Sequence, residues 1–195
     1  MIEVRRLDGV QPQPWRNRGG VTRELLSWPP AAEWAVRISV ADINQDGPFS
    51  SFPGIERWFA VLEGEGVVLR FASRREVLDT TSDPLHFDGA AAPDCELQGG
   101  ATRDLNLMLR SGAGQGRMQR AAADQEWLSP APWRALFCTG PARLQIDDTD
   151  AARLPAMALA WSAHAARQRW RLLHAAGSDE PTPCAFWMSF ESRHE

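Results

Sequence analysis

The most constraining feature of this 195-residue chain is the shortness of its apolar stretches, which Gly, Pro, Asp and Ser interrupt repeatedly. Residues 34–41 place Trp, Val, Ile and Val at alternate positions, and residues 104–110 alternate three leucines with Asp, Asn, Met and Arg. A period of two is typical of a strand, and many short strands between turn residues are typical of a sandwich or barrel. The sequence therefore predicts an all-β fold.

The turn residues also predict local pairings and a division of the chain. Two hairpins are expected, one from residues 58–62 and 67–71 and one from residues 135–139 and 142–146. The Gly-rich segment 111–116 follows a predicted strand directly and is the best candidate for a boundary. We therefore predict an N-terminal barrel with the main pocket in residues 1–115 and a smaller β lobe in residues 116–195.

Composition limits the classes of partner and compartment. The net charge of −4 argues against a general electrostatic attraction to nucleic acid or to an anionic membrane. No secretory signal or run of about 18 apolar residues is found, so we expect a cytoplasmic protein. The three cysteines, Cys95, Cys138 and Cys184, are far apart and odd in number, which indicates buried free thiols rather than a zinc site or disulfides.

The first segment that could carry chemistry is W-R-N-R-G-G-V-T-R-E-L, which begins at Trp15. Gly19-Gly20 permits backbone angles that other residues avoid, so a tight turn is expected there. Such a turn would bring Asn17, Thr22 and Arg23 close together at the start of a strand. The density of polar side chains suits a recognition loop, although a surface turn before an edge strand would give the same pattern.

The second segment resembles the first motif of cupins, because its strand ends in V-L-E-G-E-G. In cupins a Glu that binds metal lies seven residues before the first Gly of this turn, and that position is Arg57 here. The two His positions of the motif fall near Ser50 or Ser51 and Phe52 or Pro53. These side chains cannot bind a divalent cation, so we expect no metal and no cofactor.

An arginine at this position reverses the charge that the site prefers. The guanidinium group is a planar fork of donors that fits a carboxylate, and a partly dry cavity would strengthen that contact. The alternative is that Arg57 is a solvated strand residue, or that it pairs with Glu56 or Glu63.

The third segment contains Thr102 and Asn106 at the spacing of the second cupin motif, H-x-x-x-N, so the Asn is present and the His is absent. Asn106 lies on the polar side of its strand. If that side faces the interior, the amide can both donate to and accept from a ligand; if it faces solvent, no function is needed.

Three blocks in residues 15–110 together resemble the HutD/Ves family: W-R-N-R-G-G-V-T-R-E-L from Trp15, D-G-P-F-S-S-F-P-G-I-E-R from Asp46, and F-D-G followed by R-D-L-N-L-M-L-R. The resemblance implies a cupin-like (RmlC-type) double-stranded β-helix, in a two-lobed bicupin arrangement. HutD proteins are associated with bacterial histidine utilisation and are thought to sense a pathway intermediate such as formylglutamate, whereas Ves proteins are associated with stress responses. The pocket residues implied by position are Asn17, Thr22, Arg23, Arg37, Arg57 and Asn106. Family members often carry His after the Arg, and Trp58 takes its place here.

The leading interpretation is a non-catalytic, metal-free protein that binds a small formylglutamate-like carboxylate and regulates histidine or amino-acid catabolism or a stress response. Arg57 would form the main ion pair, Arg37 or Arg23 would assist, and Trp58 or Trp15 would wall the pocket. The first alternative is a metal-independent isomerase or hydrolase acting on a small sugar or amino-acid derivative. The second is self-association, for example as a homodimer, through a patch formed by the nine Trp residues.

Overall fold

The structure is a computed structural model that describes residues 2–30, 33–174 and 184–193. These residues form nineteen β-strands and two 3-10 turns, Leu7–Gly9 and Gly89–Ala91, and no α-helix is present among them. The prediction of an all-β fold is confirmed. Neither helical turn in the described ranges has the length or the apolar character to cross a membrane.

The chain divides into two compact units. The N-terminal unit comprises residues 10–115 with residue 193, and the C-terminal unit comprises residues 2–9 and 116–192. The first strand, β1 (Glu3–Arg6), pairs antiparallel with Ala158–Ser162 and therefore lies in the C-terminal unit. From the sequence these opening residues were expected in the N-terminal barrel, because a four-residue strand carries no local sign of its distant partner.

The N-terminal unit contains two sheets, in which neighbouring strands pair antiparallel. Its strands are β2 (Gln13–Pro14), β3 (Gly20–Trp28), β4 (Val36–Ile43), β5 (Gly47–Pro48), β6 (Ile55–Glu63), β7 (Val67–Arg70), β8 (Arg75–Leu78), β9 (Leu85–Asp88), β10 (Asp94–Leu97) and β11 (Thr102–Arg110). The order in the larger sheet is β2-β3-β4-β11-β6-β9, and in the smaller sheet β5-β10-β7-β8.

The C-terminal unit also contains two sheets. Its further strands are β12 (Gly114–Arg120), β13 (Glu126–Trp127), β14 (Trp133–Cys138), β15 (Ala142–Ile146), β16 (Ala152–Leu154), β17 (Ala158–Ser162), β18 (Trp170–Leu173) and β19 (Ala185–Ser192). The sheets have the orders β1-β17-β14-β19-β12 and β13-β18-β15-β16. Pairing in the described residues gives no closed ring of strands, so the expected two-barrel arrangement stays a prediction.

The two expected hairpins are wrong in the same way. β6 and β7 follow one another across a tight turn, but β6 pairs with β11 and β9, whereas β7 pairs with β10 and β8. Likewise β14 and β15 belong to different sheets. Each turn therefore carries the chain from one sheet to the other. A tight turn fixes the direction of the next strand but not its hydrogen-bonding partner.

Strand β11 lies between β4 and β6 at the centre of the larger sheet. One face of β11 carries its three leucines, and the other carries Asp104, Asn106 and Met108. Each of these six residues is at most 5% exposed. Because the polar face is also buried, its groups must find partners inside the protein. Of the cysteines, Cys95 and Cys138 are buried and Cys184 is half-buried, and all three are free.

Candidate ligand-binding site

A cavity of about 640 Å³ opens on the N-terminal unit. Its floor is one face of the larger sheet, to which β4 contributes alternate residues from Arg37 to Ile43, β6 contributes Arg57 and Phe59, and β11 contributes Asn106 and Met108. The alternation of a pleated strand brings these side chains to one face. The rim comes from two segments, residues 13–17 and residues 48–52.

Arg57 is the central group of this cavity and is only 5% exposed. Its Nη2 donates a 2.6 Å hydrogen bond to Asn106 Oδ1, and its Nε has no hydrogen-bond partner among the described residues. The guanidinium carbon lies 5.1 Å from the ring centroids of Phe49 and Phe87 and 5.7 Å from that of Phe52. Burial, with a smaller effect of the neighbouring Arg37 charge, lowers the pKa of Arg57 to about 10. The group remains a cation at neutral pH in an environment that disfavours its charge.

Arg37 and Arg23 have carboxylate partners, whereas Arg57 has none among the described residues. Arg37 Nε lies 2.6 Å from Glu24 Oε2, and Arg23 Nη1 lies 2.6 Å from Asp42 Oδ2. No carboxylate within the described residues forms an ion pair with Arg57. A buried cation is normally paired, so this guanidinium has an unsatisfied preference for an anion.

The remaining polar groups of the cavity are available as donors. Asn106 Oδ1 accepts from Arg57, which leaves the amide nitrogen of Asn106 to donate elsewhere. Thr22 Oγ1 accepts a 2.8 Å hydrogen bond from Trp15 Nε1, so the hydroxyl proton of Thr22 is free to bind another acceptor. Ser39 adds a further hydroxyl to the wall.

The turn of residues 15–19 is organised by hydrogen bonds. Arg18 N donates to Trp15 O over 3.0 Å, and Gly19 N donates to Asn17 Oδ1 over 3.0 Å. Arg18, at φ 60°, is the residue of this turn in the left-handed region. Gly19 and Gly20 are therefore not needed for the unusual backbone angles that were predicted for them. Gly20 is required for close packing instead, because a Cβ there would lie 2.4 Å from Asp42 O and 3.1 Å from the Trp15 ring.

Five of the seven residues predicted for the pocket line this cavity: Asn17, Thr22, Arg37, Arg57 and Asn106. Arg23 and Trp58 do not. Each directly follows a lining residue on its strand, Thr22 and Arg57 respectively, so the alternation of the strand turns it to the opposite face. Trp58 stacks on His86 with ring centroids 4.2 Å apart, and Trp15 is the tryptophan that lines the cavity.

Several lining residues were missed by the sequence reasoning. Phe49 and Phe52 place rings near the guanidinium, and Phe59 packs against Phe49 with ring centroids 5.5 Å apart. Phe59 could have been predicted, because it lies two residues after Arg57 on the same strand and therefore on the same face. Arg16 was within the first motif but was not selected.

The metal positions of the cupin pattern converge here but do not suit a metal. Ser50, Phe52 and Arg57 all line the cavity, and they offer a hydroxyl, an aromatic ring and a cation. None of these is a good ligand for a divalent ion. Across the described residues, no group of three or more His, Cys, Asp or Glu side chains could hold a metal ion.

Asp104 is a buried acid on the same face of β11 as Asn106. Its side chain is fully buried, its Oδ2 accepts a 2.8 Å hydrogen bond from Thr102 Oγ1, and its Oδ1 has no hydrogen-bond partner in the part of the chain that the structure describes. Burial raises the pKa of Asp104 to about 8, which the Thr102 hydrogen bond only partly opposes. Asp104 is therefore largely protonated at neutral pH. The Glu24 carboxylate forms an ion pair with Arg37.

The N-terminal unit has two sheets, and the positions of the cupin motif lie around one cavity. This arrangement defines a cupin-like protein in which an arginine, Arg57, occupies the position of the metal-binding Glu of the motif. The chain belongs to the HutD family, whose model matches residues 8–178.

Individual relatives agree with this assignment. The chain is 32% identical over 120 residues to an uncharacterised 21.2 kDa protein from the hutC 3′ region of Pseudomonas putida, covering 60% of this chain and 63% of that one. It is 38% identical over 98 residues to protein Ves of Citrobacter koseri, covering 49% and 51%. The matched segments thus span between half and two thirds of these relatives. The solved HutD structure from Pseudomonas fluorescens has the same fold, with TM-score 0.84, 24% identity and coverage of 99% and 100%.

Proposed function

We propose that this protein binds a small carboxylate in the cavity of the N-terminal unit, without metal or catalysis, and acts as a sensor. The observation that carries the proposal is the Arg57 guanidinium, which lies buried in the cavity wall with no carboxylate partner among the described residues. A carboxylate bound there would supply the missing charge through a bidentate contact.

The charge of the whole cavity supports the same class of ligand. The described lining residues include three arginines, Arg16, Arg37 and Arg57, and no Asp or Glu, although the chain carries a net charge of −4. A cationic cavity in an acidic protein attracts anions selectively rather than through overall charge. The amide of Asn106 and the hydroxyl of Thr22 add donors that suit carboxylate oxygens.

The affinity expected from these groups is in the micromolar range. Each charge-assisted hydrogen bond contributes about 1.5–3 kcal/mol. Two or three of them, less the free energy needed to order the ligand, correspond to roughly micromolar binding. The rings of Phe49, Phe52 and Phe59 would cover the apolar part of a small acid and exclude water from the ion pair.

The physiological role that fits is regulation of histidine or amino-acid catabolism, or of a stress response, by a bound intermediate such as a formylglutamate-like acid. The names of two relatives support this role, since one comes from a hutC region and the other is protein Ves. Binding without chemistry is sufficient for sensing.

Calorimetry with matched ligands tests the proposal. Butyrate should bind saturably and butyramide, which has nearly the same shape without the charge, should not. Arg57→Gln should weaken butyrate binding at least roughly 100-fold, because it removes the buried cation. Arg153→Gln, at an exposed position of the C-terminal unit, is the matched control and should bind as the wild type does. Arg57→Lys should recover only part of the affinity, because an ammonium lacks the planar fork.

Several results would speak against this function. Equal affinity for butyrate and butyramide would show that charge is not recognised, and unchanged binding by a folded Arg57→Gln would place the site elsewhere. Sedimentation of the same samples with and without butyrate tests the alternative of self-association, for example as a homodimer. Self-association without any ligand binding would favour the interaction role.

A further inference from the structure

Arg16 is a second cation of the cavity that the fold does not use. It lies at the rim, on the turn between β2 and β3, and its side chain is exposed. It makes no ion pair or hydrogen bond with any residue that the structure describes. The turn itself is well defined, because Trp15 N donates to Gly20 O over 2.9 Å and Arg18 N donates to Trp15 O over 3.0 Å. Arg16 is therefore a cation without a described partner on a turn that backbone hydrogen bonds hold in place.

Of the three arginines in the cavity, Arg37 has a carboxylate partner, whereas Arg16 and Arg57 have none among the described residues. The Arg37 charge is neutralised by Glu24 at 2.6 Å. Two uncompensated cations remain, one in the wall at 5% exposure and one at the rim in contact with solvent. A ligand with a single carboxylate can neutralise only one of them.

We propose that Arg16 is a specificity-determining residue that recognises the second carboxylate of a short dicarboxylate, the class to which the formylglutamate-like acid proposed above belongs. This inference rests on the proposed function: one carboxylate binds Arg57 inside the cavity, and the second lies at the rim beside Arg16. The aromatic rings that line the same cavity would contact the methylene groups that join the two carboxylates.

The two contacts should differ in strength because they differ in exposure. An ion pair in contact with solvent contributes little, which corresponds to roughly a two- to fivefold gain in affinity. Salt screens an exposed pair strongly and a buried pair weakly. The preference for a dicarboxylate should therefore be modest and should decrease as ionic strength rises, whereas the Arg57 contact should persist.

Titration calorimetry with glutarate and pentanoate, two acids of the same carbon number, tests the inference. In Arg16→Gln the affinity for glutarate should fall roughly two- to fivefold while the affinity for pentanoate stays the same. Arg18→Gln is the matched control, because Arg18 is an exposed arginine on the same turn that does not line the cavity. This control removes the same charge from the protein and should leave the ratio of the two affinities unchanged. The ratio in the wild type should also fall toward that of Arg16→Gln at high salt.

The outcomes separate this inference from the function on which it rests. If Arg16→Gln weakens both acids equally, or if Arg18→Gln has the same effect, Arg16 does not read a second carboxylate and the inference is overturned, while binding at Arg57 stands. If Arg57→Gln leaves binding of both acids intact, the proposed function fails as well. Loss of the glutarate preference in Arg16→Gln alone supports both.

Discussion

Arg57 Nη2 and Asn106 Oδ1 are joined by a 2.6 Å hydrogen bond that crosses from β6 to β11 in the wall of the cavity. In the register between the two strands, Arg57 lies opposite Met108 and Asn106 lies opposite Phe59. The guanidinium therefore reaches diagonally across the strands, to the residue two positions before Met108 on β11. This is the single side-chain acceptor that the described residues offer to the Arg57 cation. We therefore expect this pair to affect both the stability of the sheet and the proposed binding of an anion.

Replacing one member of the pair should be more harmful than replacing both. Asn106→Leu removes the acceptor and should lower the free energy of unfolding by about 1.5–3 kcal/mol. Arg57→Met combined with Asn106→Leu should recover most of that loss, because an apolar pair replaces a buried charge. Chemical denaturation of the two variants and the wild type measures the difference. A double variant that is less stable than Asn106→Leu would show that the charge is not the source of the cost.

Asp104 should make the protein less stable as the pH rises toward 8. Its pKa is raised from 3.8 to about 8 in the folded protein, so between these values the folded state binds more protons than the unfolded state. The free energy of unfolding therefore falls as the pH rises through this interval. Asp104→Asn cannot ionise, should lack this slope, and should exceed the wild type at about pH 8 by on the order of a few kcal/mol.

Urea denaturation at about pH 5 and about pH 8 measures this effect. Asp79→Asn is the control, since hydrogen bonds from Thr81 and Ser82 lower the pKa of Asp79 to about 2. Asp79 is ionised in both states over this interval, so its replacement should leave the slope unchanged. An unchanged slope in Asp104→Asn would show that Asp104 ionises normally in the folded protein.

Gly20→Ala should disturb the cavity through Trp15. The new methyl group would approach Asp42 O to 2.4 Å and the Trp15 ring to 3.1 Å, so the ring or the strand must move. We expect a loss of about 1–3 kcal/mol in stability and weaker butyrate binding, because Trp15 positions the Thr22 hydroxyl. Gly9→Ala is the control, since nothing lies within 4 Å of its Cβ position. Thermal melting and calorimetry report the two effects, and equal behaviour of both variants would contradict the packing argument.

Arg134 is a fully buried arginine of the C-terminal unit that serves the fold rather than the cavity. Its guanidinium donates to the carbonyl oxygens of Ala131 at 3.0 Å, Gln168 at 2.5 Å and Ser129. Arg134→Lys cannot reproduce this planar arrangement and should cost about 1–3 kcal/mol for each carbonyl left without a donor.

Denaturation of Arg134→Lys beside Arg153→Lys, an exposed position, measures this cost. Butyrate affinity should remain that of the wild type while the variant is folded, because Arg134 does not line the cavity. If Arg134→Lys is as stable as Arg153→Lys, the carbonyl contacts do not stabilise the unit.

The sequence predicted strands well and their partners poorly, for a physical reason. The alternation in residues 34–41 and 104–110 corresponds to β4 and β11, because a period of two is a local property. Which strands pair is a property of the whole chain: β11 lies between β4 and β6, and neither neighbour adjoins it in sequence. The two expected hairpins failed for this reason.

The same distinction applies to the site. Arg57 and Asn106 could be predicted because motif spacing marks both positions, and their contact follows from adjacent strands. Trp58 and Arg23 each follow a residue that lines the cavity, and a shift of one residue along a strand turns the side chain to the opposite face. The ion pair between Arg37 and Glu24 could not be predicted, because it depends on the register between β3 and β4.

The position of β11 also determines when the N-terminal unit can be completed during synthesis. β4 and β6 have no hydrogen bonds to each other, and the strand that joins them is the last of this unit to leave the ribosome. Sheets built from sequence-distant segments form slowly, and unpaired strand edges are open to aggregation until they close. A nascent chain halted before Thr102 would hold Arg57 without its amide acceptor, so chaperone demand should be highest in that interval.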